Sequence, residues 1–137
     1  MNRNFFLTAT MLLGIVIPIA IGINSCKKEA GEGGNSSIRG KVYATNYDKN
    51  MILISDSGYR GEEDVYIIYG GEFSYGDRQK SNYDGAFEFK YLRKGKYKVY
   101  VYSKSFITMS ADSIALREVE ITEKKQSIEL ADIRILR

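Results

Sequence analysis

From Ile38 to the end of the chain, apolar side chains recur at every second position in short runs, and this period dictates what the chain can become. Successive residues of a strand point to opposite faces, so a period of two describes a strand with one face in a core and one in water. The alternation predicts strands at 38–45, 50–54, 64–69, 78–82, 86–91, 96–103, 114–122 and 126–135. Short strands at regular spacing define an all-β sandwich or barrel. Tyrosine is abundant, with 11 copies against no Trp, and the only proline is Pro18, a composition that suits pleated strands.

Turn chemistry supports this reading. Asp84-Gly85 offers the positive φ that a tight hairpin needs ahead of the alternating Ala86-Phe87-Glu88-Phe89. A second turn at Arg93-Lys94-Gly95 feeds Tyr97, Val99 and Val101 to one face and Lys98, Tyr100 and Tyr102 to the other. Near the end, Ile128 and Leu130 share a parity that Ile133 and Ile135 do not, and a bulge near Ala131-Asp132 reconciles them.

The N-terminal part obeys other rules. Arg3 precedes a long apolar run over 5–23, interrupted by Thr8, Thr10, Gly14, Pro18 and Gly22, and then comes Ile23-Asn24-Ser25-Cys26. This stretch resembles the signal helix and lipobox of bacterial lipoproteins, with a branched apolar residue three places before a cysteine and a small residue directly before it. The resemblance implies cleavage between Ser25 and Cys26, acyl chains on the Cys26 thiol and amine, and residence on a membrane. Three alternatives compete. An ordinary signal peptide would leave an unpaired cysteine on an exported chain. An uncleaved anchor would put Lys27 and Lys28 on the wrong flank. A buried core helix would need a larger domain to enclose it.

The expected organisation is therefore a signal peptide (1–25), a lipidated Cys26 with a flexible Gly/Ser-rich tether (26–37), and a sandwich domain (38–137). Glu29 and Glu32 loosely resemble the acidic signal that sends some Bacteroidetes lipoproteins to the outer face of the outer membrane. A cell-envelope location follows, at the outer membrane, with either its periplasmic or its surface face open.

Within the domain, Asp84-Gly85-Ala86-Phe87-Glu88-Phe89 followed by Leu92, Gly95, Tyr97, Val99 and Val101 resembles the signature of carboxypeptidase regulatory-like domains. Ile38-Arg39-Gly40-Lys41-Val42 is similar to that family's first strand, and 113–136 to its closing hairpin. The resemblance implies a transthyretin-like (prealbumin-like) Greek-key sandwich of about seven strands, with no catalytic residues. Two connections depart from it, being longer than the family's: 45–63, which contains Met51-Ile52-Leu53-Ile54, and 70–80.

Composition narrows the function. Lys and Arg number 20 against 17 Asp and Glu, too small a surplus to track a phosphate backbone, so nucleic acid is not expected. Histidine is absent, which removes the commonest general base and zinc ligand together. Neither a catalytic set, a metal nor a cofactor is expected. The acids Asp56, Glu62, Glu63 and Asp64 near the first long loop match no calcium-loop spacing. Lys41 with Asp132 is the only obvious pair for the amide cross-link of some adhesin sandwiches, and Lys41 has outward parity. Paired carboxylates for glycoside hydrolysis need a cleft that a sandwich of this size rarely provides.

What remains is a binding face. Tyr43, Tyr66, Tyr100 and Tyr102 have the parity opposite to Val42, Val65, Ile67, Val99 and Val101, and so are expected on an outer surface beside Lys41 and Lys98. Such tyrosines either pair across strands or form a platform for a partner. The expected function is a membrane-anchored, non-enzymatic binding or accessory module of the envelope, with an envelope protein as partner. The alternative is a carbohydrate-binding lipoprotein that uses the tyrosines on a glycan.

Overall fold

A single long strand, paired on both edges, organises one of two packed sheets. The computed structural model describes residues 29–50, 52–105, 107 and 112–137, so the expected signal segment, its cleavage site at Ser25 and the lipidation site Cys26 lie outside the described residues. Among the described residues the chain forms nine strands: β1 (Glu32–Tyr47), β2 (Ile54–Tyr59), β3 (Asp64–Tyr69), β4 (Asp77–Lys80), β5 (Ala86–Leu92), β6 (Gly95–Lys104), β7 (Asp112–Ile121), β8 (Ser127–Glu129) and β9 (Ile133–Leu136). No helix occurs among them. The all-β sandwich expected from the alternation is the observed fold, with nine strands in place of about seven.

In the first sheet β1 pairs antiparallel with β5 along its first half and with β2 along its second, while β8 and then β9 run parallel to its other edge. The second sheet is antiparallel throughout, in the order β4-β3-β6-β7. Between them lies the core, in which Ile38, Val42, Val65, Ile67, Phe89, Leu92, Val99, Val101, Ile133 and Ile135 are fully buried. Each such side chain contributes about 1.5–3 kcal/mol relative to an exposed one. All five residues assigned to the core by parity alone are among the buried.

The closing strand breaks where its parity changes. Arg39 registers with Glu129 and Val42 with Ile133, so the partner advances four residues while β1 advances three. That extra residue turns Ile133 and Ile135 inward and splits the predicted 126–135 strand into β8 and β9.

Three expectations require correction. Asp84-Gly85 does make a tight turn, with Gly85 at φ 80° and its N–H donating to the Asn82 carbonyl at 2.9 Å. It is no hairpin, because β4 and β5 belong to different sheets. A Cβ on Gly85 would sit 2.7 Å from the Val42 carbonyl oxygen, so the close approach of β1, as much as the turn, demands glycine.

The predicted strand at 50–54 lies instead at Ile54–Tyr59. One carboxylate oxygen of Asp48 accepts the Ile52 amide at 2.7 Å and the Leu53 amide at 3.2 Å, which folds that segment into the connection. These bonds hold the Asp48 carboxyl below the usual range. Ile52, Leu53 and Ile54 are left exposed, and the polar residues after them pair with β1.

The flexible tether ends early. β1 begins at Glu32, and both Glu32 and Ser36 register with Leu92 around a bulge. The glycines there serve contact and not mobility: a Cβ on Gly34 would lie 1.9 Å from the Leu92 carbonyl oxygen. Composition cannot tell glycine in a linker from glycine under a backbone crossing.

Candidate binding face

The outward positions of β3, β6 and β7 build one surface. Antiparallel register sets Tyr66 opposite Tyr100, and Tyr100 opposite Leu116; one row further along β6, Tyr102 stands opposite Ile114. Directly opposed residues bring their side chains together on one face, so this pairing fixes the rings' neighbours. Tyr66 stacks on Tyr100 with centroids 5.0 Å apart and planes 12° from parallel. Tyr102 meets both edge-on, at 5.5 and 5.7 Å. Tyr75, from the loop ahead of β4, meets Tyr66 edge-on at 5.1 Å.

Exposure sorts these residues into a floor and a rim. Tyr100 is only 9% exposed, whereas Tyr75, Tyr102 and Ile114 each remain about half exposed (51%, 45% and 52%) and Leu116 is 37% exposed. Burial, followed by the charge and hydrogen bonding of Tyr102, pushes the Tyr100 hydroxyl up to about 12. Charged groups border the patch, among them Arg78 near Asp64 at 3.9 Å and Lys98 near Glu118 at 4.0 Å.

Of the four tyrosines expected on one surface, three converge and one does not. Tyr43 lies on β1, in the other sheet, where its ring meets Tyr59 edge-on at 5.4 Å and Arg134 approaches it at 5.7 Å. Lys41 goes with it, its ammonium 4.8 Å from the Tyr59 ring centroid and 3.8 Å from Asp84. Parity assigns a residue to the inside or outside of its sheet, but each sheet of a sandwich has its own outside. The sequence reading also missed Tyr75, which sits in a connection without periodicity, and Ile114 with Leu116, whose outward parity was visible in the alternation of β7 but was given no face.

Three of the four acids near the first long loop, Glu62, Glu63 and Asp64, face cations instead of one another, while Asp56 accepts the Ser57 amide at 2.8 Å. Glu62 lies 3.6 Å from Lys80, while Glu63 pairs with Arg137 and lies 3.8 Å from Arg60. No group of three or more acidic, His or Cys side chains that could hold a metal ion occurs among the described residues. Asp132 accepts the Tyr59 hydroxyl at 3.2 Å, and Lys41 turns to Asp84, so the cross-link pair is not assembled. A solvent-open depression lies at the far end of the second sheet, lined by Ala30, Tyr69, Glu72, Lys96, Glu118 and Glu120.

No protein-family model and no curated protein matches the chain. Among solved structures, it is similar to one from Pseudomonas aeruginosa that is provisionally described as a carbohydrate binding protein. The two share 11% identity with a TM-score of 0.48, over 79% of this chain and 92% of that one. At that level the similarity bears on neither ligand nor residue roles.

Proposed function

We propose that this chain is a lipid-anchored, non-enzymatic binding module of the cell envelope, held by Cys26 at the outer membrane, which engages a protein partner through the outer face of β3, β6 and β7. The observation that carries the proposal is the contiguous patch in which Tyr75, Tyr102, Ile114 and Leu116 surround the buried Tyr100. A solvated sheet face ordinarily carries polar side chains. Tyrosine and aliphatic groups side by side are the make-up of the dry centre of a protein interface. Tyr66 and Tyr100 cover one another by stacking, which leaves less open ring face for a sugar than the count of tyrosines suggests. Anchoring rests on the Ile23-Asn24-Ser25-Cys26 resemblance, and the accessory role agrees with the resemblance to carboxypeptidase regulatory-like domains.

Cross-linking in intact cells, followed by recovery of the protein and mass spectrometry, tests this with Leu116→Glu and Cys26→Ser forms alongside the wild type. One dominant envelope protein is expected, lost in Leu116→Glu and reduced when the anchor is removed. Capture of the same protein by Leu116→Glu would eliminate the face as the contact. Retention of purified protein on envelope glycans, abolished by Tyr102→Ala, would replace the protein partner with a carbohydrate.

A further inference from the structure

The end of the sandwich at which the chain enters has properties of its own. Gly31 is fixed there: its N–H donates to the buried Tyr97 hydroxyl at 3.0 Å, and its carbonyl accepts the Arg93 amide at 2.8 Å. Ala30 packs against the core. Only Lys27, Lys28 and Glu29 separate it from Cys26. Four residue steps span at most about 14 Å when fully extended, so an acylated Cys26 would hold this end within that distance of the headgroup layer. The 26–37 stretch is thus too short on its free side to let the domain stand away from a bilayer.

The same end gathers the loops that follow β3, β5 and β7. Tyr69 registers with Tyr97, and Gly95 with Ile121, which places residues 70–76, 93–94 and 122–126 beside the entering chain. Two large aromatic side chains are exposed in this neighbourhood, Phe73 wholly at 106% and Tyr91 for the most part at 71%. Tyr91 is held at φ 59°, a left-handed conformation unusual for an aromatic residue, one residue before the buried Leu92. Exposed charges nearly balance, with Lys94, Lys96, Lys124 and Lys125 against Glu29, Glu32, Glu72, Glu120 and Glu123. Exposed rings also occur elsewhere, Tyr83 being 92% exposed in the turn ahead of β5, so what singles out Phe73 and Tyr91 is their place beside the entering chain. Phenylalanine and tyrosine carry apolar rings that suit the interface of a bilayer.

We infer that this end is a membrane seat: with Cys26 acylated, Phe73 and Tyr91 enter the phospholipid headgroup layer and hold the sandwich upright on the bilayer. The inference rests on the anchoring reading above and adds an orientation to it. β1 then rises from the surface, and with about 3.3 Å per residue it carries the Ile52-Leu53-Ile54 connection on the order of 40 Å away. The rest of the tyrosine face stands at the side, with Tyr75, which shares the β3–β4 loop with Phe73, its member nearest the lipid.

Full-length acylated protein in phosphatidylcholine vesicles tests the orientation. A fluorophore is attached through Gly71→Cys, where an added side chain meets nothing within 4 Å, or through Leu53→Cys at the far end. Spin-labelled headgroups should quench the probe at position 71 at least twofold more than the probe at 53. Phe73→Ser combined with Tyr91→Ser should narrow the difference to what the short tether alone imposes. Protein that floats with the vesicles but shows equal quenching, or quenching unchanged by the double substitution, would overturn the seat while leaving the anchor intact. Protein that does not float would remove the anchor and the seat together.

Discussion

The Gly31 amide donates to the Tyr97 hydroxyl at 3.0 Å, joining residues 66 positions apart inside the protein, and Tyr97 in turn donates to the Arg93 carbonyl at 2.7 Å. One hydroxyl thereby ties the residues just ahead of β1 to the turn that opens β6. Tyr97→Phe keeps the ring and its packing but leaves the Gly31 amide without that partner. A loss of about 1–3 kcal/mol is expected in urea unfolding, the range for a buried donor left unsatisfied. Hydrogen exchange should rise at residues 30–33 before it rises in β3 or β6.

Gly34→Ala probes the reassigned tether. A Cβ placed 1.9 Å from the Leu92 carbonyl oxygen forces β1 and β5 apart, because the obstacle is backbone and has no rotamer to adopt. Destabilisation of about 1–3 kcal/mol is expected, as for other overpacked sites. A change below a few tenths would mean that this stretch is a linker after all.

Tyr100 and Tyr102 are neighbours on the same strand face with separable roles. Tyr100→Ala removes the floor of the patch and should cost about 3 kcal/mol, as large-to-small changes of buried aromatics do. Tyr102→Ala, at a half-exposed site, should cost less than about 1 kcal/mol while weakening partner capture. Thermal melts and capture, measured on both variants, distinguish the two.

Alkaline pH should destabilise the protein through phenols that folding shields from water. Burial raises the hydroxyls of Tyr69, Tyr97 and Tyr100, the last to about 12. The folded state keeps these protons at pH values where the unfolded chain, with tyrosines near 10, has lost them. Stability is then complete below about pH 10 and falls as pH climbs toward 12. Urea midpoints measured on either side of about pH 10 should show the decline, and Tyr100→Phe should lessen it.

The division between local and tertiary information can be read residue by residue. Side-chain alternation is a property of each strand alone, so parity was enough to bury Val42, Val65, Ile67, Val99 and Val101, to foresee the bulge before Ile133, and to turn Tyr66, Tyr100 and Tyr102 outward. Turn chemistry is equally local, and the tight turn at Gly85 could be read in advance. Which sheet a strand joins depends on pairing between distant residues. For that reason Tyr43 parted from the other tyrosines, the Asp84-Gly85 turn became a crossing between sheets, and Ile114 and Leu116 completed the face. Glycine showed the same limit: Gly34 looks like linker until Leu92, far along the chain, is brought against it. The strands and their inner faces follow from short-range stereochemistry, whereas the tyrosine face proposed for binding exists only where long-range register lays three strands side by side.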